Sequence, residues 1–179
     1  MKEEEIKEIL SHAKTVAVVG ISPKEDRPSY IVASYLKSKG YRIIPVRPDG
    51  EYILGEKVYR SLREVPKEIG VDVVDIFRKS EDVLPIVEEA IQRGAKVIWM
   101  QEGVIHEEAG SKAENAGLKV VMDRCMKKEH QRLIKVRSSE TGSNWVQILN
   151  VLTPNSELRT HYLPSRTLES WNPFIRSSS

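Results

Sequence analysis

The chain has 179 residues and a mass of 20.4 kDa, with 40% hydrophobic and 30% charged residues, the balance of a soluble globular domain with a real core. A net charge of +2 is too small to argue for nucleic acid, no apolar run approaches the roughly 18 residues of a membrane span, and the acidic opening MKEEEIKEILSHAK does not read as a targeting peptide, so a cytoplasmic location is expected. The single cysteine, Cys125, excludes an internal disulfide or a zinc site, and His12, His106, His130 and His161 show no ligand spacing, so no metal is expected.

An opening amphipathic segment, 3–12, carries Ile6, Ile9 and Leu10 at helical spacing. It leads into VAVVGISPKEDRPS (16–29), an apolar strand that runs into one glycine, a polar loop and a proline at a helix start. That order builds an anion-binding turn. Gly20 lets the backbone bend, Ser22 and Ser29 offer hydroxyls, Lys24 and Arg27 bring positive charge, and the helix after Pro28 points free N–H groups into the loop. The competing reading is an ordinary strand-to-helix connection with solvated polar residues.

The helix 29–39 is closed by Gly40, and a second strand, 42–46, ends in PVRPD. A dinucleotide fingerprint is not met here. Ser22 and Lys24 or Glu25 stand where two further glycines belong, and Arg47 stands near the place where a free ribose diol would want a carboxylate. An arginine suits a phosphorylated ribose, which leaves NADP or coenzyme A as the chemically sensible nucleotides; the competing reading is a solvated loop cation.

After a weak helical turn at 61–68 comes a third strand, 71–77, followed by Phe77, Arg78, Lys79 and Ser80, an apolar face with further positive charge. Ser80 is the expected N-cap of a helix, 80–93, closed by Gly94, with Val83, Ile86, Val87, Ala90 and Ile91 on its buried face. The fourth strand, 96–100, leads into QEGV, where Gln101 can donate and accept hydrogen bonds and Gly103 permits close backbone approach. A helix at 107–116, closed by Gly117, and a fifth strand at 118–122 complete the series. Cys125 follows, with Arg124, Lys127 and Lys128 as neighbours that favour a thiolate if it is exposed; the alternative is a small buried hydrophobe.

Strand and helix in alternation predict an α/β fold, a doubly wound, Rossmann-like five-stranded parallel sheet with helices on both faces. The topology expected is the one in which the first and fourth strands border the switch point, so that the loops after Val19 and Met100 share a crevice. Residues 1–133 hold 23 Lys and Arg against 23 Asp and Glu, whereas residues 134–179 hold 5 against 3 and nine serines. That change of composition predicts a domain over 1–133 and an extension over 134–179 whose apolar run at 145–152 is a docking segment, an oligomer arm, or part of a disordered or non-native stretch.

The motifs VVGISPKEDRPSY, YLKSKGY, PVRP, ILGEKVY, VDIFRKSE, GAKVIWMQEGV and VVMDRC, in this order, closely resemble the small stand-alone coenzyme A-binding domain proteins, over about residues 10–133. Their fold is similar to the first domain of the succinyl-CoA synthetase alpha subunit. The resemblance implies a Rossmann-like domain holding coenzyme A, with Gly20, Ser22, Arg27, Pro28 and Ser29 on the first phosphate loop. It implies Val46 and Pro48 on the nucleotide wall, Phe77 and Arg78 on the third loop, and Gln101 and Gly103 on the fourth.

Two departures stand out: Arg47 occupies a position where the family usually has asparagine, and Glu102 one where an apolar residue is common. Nothing corresponds to the synthetase domain that carries the phosphorylated histidine, so catalysis is not expected. The expected function is non-covalent binding of coenzyme A or an acyl-CoA, with Cys125 as a thiol handle and neither nucleic acid nor membrane as a partner; a protein partner or homo-oligomer stays open. The alternatives are an NADP-binding, oxidoreductase-like protein and a protein-interaction domain that has kept the fold.

Overall fold

The computed structural model describes residues 1–134. The expectations for the extension, including its apolar run at 145–152, lie outside the described residues. In chain order the elements are α1 (Glu3–His12), β1 (Thr15–Val19), α2 (Pro28–Ser38), β2 (Arg42–Val46), β3 (Tyr52–Ile53), β4 (Glu56–Lys57), β5 (Val73–Ile76), α3 (Val83–Arg93), β6 (Val97–Met100), α4 (Glu107–Asn115), β7 (Lys119–Val121) and α5 (Met126–Leu133). Short 3-10 turns at Leu62–Glu64 and Ser80–Asp82 join them.

The five main strands form one parallel sheet, as the alternation of strand and helix predicts, and their order is β2-β1-β5-β6-β7. Every residue of β5 and β6 is buried, because helices cover both faces and the strands carry apolar side chains on each. One face packs Ala17, Val74, Ile76 and Ile98 against α3 and α4 through Val83, Val87, Ala90, Ala109 and Ala113. The other packs Val16, Val18, Val73 and Trp99 against α1, α2 and α5 through Ile6, Leu10, Val32, Leu36 and Met126.

The strand order corrects one expectation. The first strand lies beside the second and the third, β2 and β5, and not beside the fourth. The switch point is therefore between β1 and β5, where successive connections leave in opposite directions, and the fourth strand lies one place farther out. Apolar periodicity is the same for either order, which is why it does not decide between them.

Two local features also differ. Ser80 does not cap α3: a 3-10 turn precedes that helix, Asp82 occupies the N-cap, and the Ser80 hydroxyl accepts the Ile105 N–H at 3.1 Å instead. The segment MKKEHQRL forms α5, unpredicted because only Met126 and His130 are buried among its polar residues. At the far end of α3, Gly94 takes a left-handed φ of 73°, the conformation anticipated for its stop. Among the described residues no helix is long and apolar enough to cross a membrane.

A small antiparallel hairpin pairs β3 with β4, each strand too short to leave a period in the sequence. It returns the chain so that Tyr59 bridges to Val46 at the outer edge of β2, with the Arg47 N–H donating to the Tyr59 carbonyl at 2.9 Å and the Tyr59 N–H donating to the Pro45 carbonyl at 3.0 Å. Arg60 is thereby carried to the same end of the sheet as Arg47.

Candidate functional site

At the carboxyl ends of the strands the loop from β1 to α2 begins with a forced turn. Gly20 has a φ of +86°, and a Cβ there would lie 2.3 Å from the Phe77 carbonyl oxygen, so only glycine lets the ends of β1 and β5 approach this closely. The Gly20 N–H donates to the Val46 carbonyl at 2.9 Å, and the Phe77 N–H to the Val19 carbonyl at 2.8 Å, which ties three strand ends together.

Beyond Ile21, which is buried, the loop is braced by its own serines. The Ser22 N–H donates to the Ser29 hydroxyl at 3.0 Å, and the Lys24 N–H donates to the Ser22 hydroxyl at 3.2 Å. Each hydroxyl gives a lone pair to the loop and keeps its proton for another acceptor. Pro28 opens α2, and its N-cap, Arg27, makes no side-chain cap, so the first-turn N–H groups keep their capacity for an anion.

This loop forms one wall of a cleft of about 870 Å³. Gly20, Ser22, Lys24, Arg27, Pro28 and Ser29 line it from the first connection, Phe77, Arg78, Lys79 and Asp82 from the third, Gln101, Glu102 and Val104 from the fourth, and Cys125 from the fifth. The loops after Val19 and Met100 thus share a crevice, although the third loop stands between them. Among the described residues Lys24, Arg27 and Arg78 enter no ion pair, whereas the Glu102 carboxylate is held by the Lys128 ammonium at 2.8 Å. That hydrogen bond also pushes Lys128 above the usual range. The acidity that Glu102 brings to the mouth is thereby offset.

Beneath the cleft lies a group that the motifs did not single out. Asp75, in the middle of β5, is fully buried, and the Gln101 side-chain amide donates to its Oδ1 at 2.7 Å. Its other oxygen has no hydrogen-bond partner, and burial pushes its carboxyl up to about 7 against the opposing pull of that bond. An acid within the apolar run VVDIF is the signal that would have found it.

Cys125 is half-buried at the N-cap of α5. The indole N–H of the buried Trp99 donates to the Arg124 carbonyl at 2.7 Å and so fixes the connection that carries the cysteine. Of its basic neighbours, Arg124 pairs with Glu129 at 3.3 Å and Lys127 lies over the Tyr35 ring at 5.7 Å.

Val46, Arg47 and Pro48 line a smaller recess of about 170 Å³ together with Arg60, Leu62 and Arg78. Arg78 borders both spaces, so the two are adjacent. Gly103 lies outside both linings: it takes a φ of +81°, and its N–H donates to Asp123 Oδ1 at 2.7 Å. A separate apolar cavity of about 470 Å³ opens at the other pole of the sheet, beside Ile9, Ala95 and Leu118. The carboxyl pole is the better candidate, because an open parallel sheet presents its loops and helix N-termini there.

Comparison with known proteins supplies the family. The CoA binding domain pattern matches residues 14–131. The chain belongs to the CoA-binding domain family. This CoA-binding domain is 42% identical over 126 residues to a protein of Bacillus subtilis (strain 168) called uncharacterized protein YneT, a match spanning 70% of the chain and 92% of that relative. It is 30% identical over 108 residues to the ADP-forming acetate–CoA ligase II of Archaeoglobus fulgidus, covering 59% of the chain and 16% of the ligase. Among solved structures, a hypothetical protein from Pyrococcus horikoshii OT3 matches with a TM-score of 0.72 and 44% identity, covering 75% of the chain and 94% of that protein. The cell-free ID.343 protein of Thermus thermophilus matches with a TM-score of 0.70 and 36% identity, over 74% and 99% respectively. Family membership supports coenzyme A as the class of ligand.

Proposed function

We propose that residues 1–133 bind coenzyme A or an acyl-CoA non-covalently at the carboxyl pole of the sheet, as a cytoplasmic binding domain and not a catalyst. The observation that carries this reading is the cleft of about 870 Å³ at which the Gly20–Ser29 connection, Arg78 and Gln101 meet, in a chain of the CoA-binding family. Its size lies in the roughly 300–1,000 Å³ range of pockets that enclose small molecules. The diphosphate lies on the braced loop, against the Arg27 and Lys24 cations, the hydroxyl protons of Ser22 and Ser29, and the start of α2. The adenine lies between the loops after β2 and β5, on the wall of Val46 and Pro48. The pantetheine runs past Phe77 toward Gln101 and Cys125.

The test is twofold. Mass spectrometry of the small molecules released from the purified full chain by mild denaturation is expected to show coenzyme A or an acyl-CoA. Calorimetry against coenzyme A, dephospho-coenzyme A, NAD and NADP is expected to favour coenzyme A. A preference for NADP would instead support the oxidoreductase-like alternative, and indifference to all four would favour an interaction domain that has kept the fold.

A further inference from the structure

We propose that Arg47, Arg60 and Arg78 form a subsite for a phosphate monoester on the ribose of the bound nucleotide, with Arg60 as a specificity-determining residue that the sequence motifs do not assign. The inference rests on the nucleotide-binding reading of the adjoining cleft and names the part of the ligand that selects coenzyme A over its dephosphorylated form.

Three observations meet in the small recess. First, its volume of about 170 Å³ is below the roughly 300–1,000 Å³ of pockets that enclose a whole small molecule, so it takes one part of a larger ligand. Arg78 lines both this recess and the main cleft, so the two adjoin at that side chain. Second, its charge is one-sided. Among the described residues none of the three arginines enters an ion pair, while the one acid of the lining, Glu89, is engaged elsewhere: it accepts the Leu62 N–H at 3.2 Å and lies 3.6 Å from the Arg63 guanidinium. Third, the buried Nε of Arg47 has no hydrogen-bond partner, and a desolvated donor of that kind is satisfied by an acceptor with several lone pairs.

The placement of Arg60 follows from the fold. It is 13 positions from Arg47 in sequence, yet the Val46–Tyr59 bridge sets the two side by side at the strand end. Guanidinium groups suit a terminal phosphate because they offer paired donors in a planar fork and keep their charge. A ribose without the phosphate leaves this charge uncompensated. The floor of Val46, Leu62 and Ile86 is apolar and accepts the adjoining base face.

The experiment is calorimetry on the full chain and on Arg60→Gln with coenzyme A, dephospho-coenzyme A, NADP and NAD. The wild type is expected to bind coenzyme A at least about 10-fold tighter than dephospho-coenzyme A. Arg60→Gln, an exposed position at which folding should be unaffected, is expected to weaken coenzyme A by about 10-fold and leave dephospho-coenzyme A unchanged. Equal wild-type affinities for coenzyme A and its dephosphorylated form, or an equal loss for both in Arg60→Gln, would overturn the subsite while leaving coenzyme A as the ligand. A preference for NADP over NAD with no binding of coenzyme A, reduced by the same substitution, would keep the subsite and remove the coenzyme A reading. Binding of none of the four would overturn both.

Discussion

The Gln101 side-chain amide donates to Asp75 Oδ1 at 2.7 Å, so a residue lining the cleft is oriented by a carboxyl buried inside the sheet. The bond requires the amide nitrogen to face inward, which leaves the Gln101 oxygen as the outward acceptor. Because burial pushes Asp75 up to about 7, against roughly 3.9 in an unfolded chain, the folded protein retains a proton that the unfolded chain has already released. Stability contributed by this neutral carboxyl is complete below about pH 4 and is lost as pH rises through about 7. Asp75→Asn should remove that slope. Urea unfolding of both proteins between about pH 5 and 8 is expected to show the variant gaining on wild type as pH rises. Parallel curves would mean that Asp75 does not titrate in this interval. His130, which burial lowers, has the opposite slope and is common to both proteins, so it cancels in the comparison.

Gly20→Ala should be much more damaging than Gly40→Ala, although both positions have a left-handed φ, +86° and +92°. A Cβ at Gly20 meets the Phe77 carbonyl, whereas one at Gly40 meets nothing within 4 Å. Left-handed backbone alone costs an alanine about 1–2 kcal/mol, and the clash should take the Gly20 variant above that, to at least about 2 kcal/mol. Denaturant midpoints for the two variants check this, and equal losses would show that the strand ends adjust freely.

Arg27→Ala should weaken coenzyme A binding by about 10- to 100-fold, the range implied by roughly 1.5–3 kcal/mol for one charge-assisted bond to phosphate. The side chain is exposed, so thermal unfolding without ligand should be nearly unchanged. An unaltered affinity measured by calorimetry would exclude Arg27 from the site.

Cys125 should form a mixed disulfide when the protein is incubated with coenzyme A disulfide. Its thiolate attacks one sulfur of that disulfide, a protein–coenzyme A disulfide forms, and one coenzyme A thiolate leaves, with no further oxidant required. Intact-protein mass should show one reducible adduct on wild type and none on Cys125→Ser. No reducible adduct on the wild type would make the cysteine a packing residue.

The five strands and most helices were legible because each strand is a short Val- and Ile-rich run and helices such as α3 stop at a glycine that can turn left-handed. Neighbour relations were not. The placement of β1 beside β5 depends on crossovers between distant segments, and local periodicity carries no record of them. The same limit hid Arg60, whose approach to Arg47 depends on a hairpin of two residues per strand, too short to leave a period. In α5, one buried methionine and one buried histidine among charged residues are too few to mark a face. The first phosphate loop was readable in kind, since Gly20, the two serines and Pro28 are local signals. That Ser29 braces Ser22 emerges only once the loop is folded.

Tyr59, which bridges to Val46 at the end of β2, lies outside the five strands, on the connection that carries the hairpin. Changes in that connection can therefore move Arg60 without disturbing the strands that hold Gly20 and Asp75. Scaffold and selectivity are separable in this chain: the hairpin is where a different length or composition would retune which ribose is accepted while the rest of the domain folds as before.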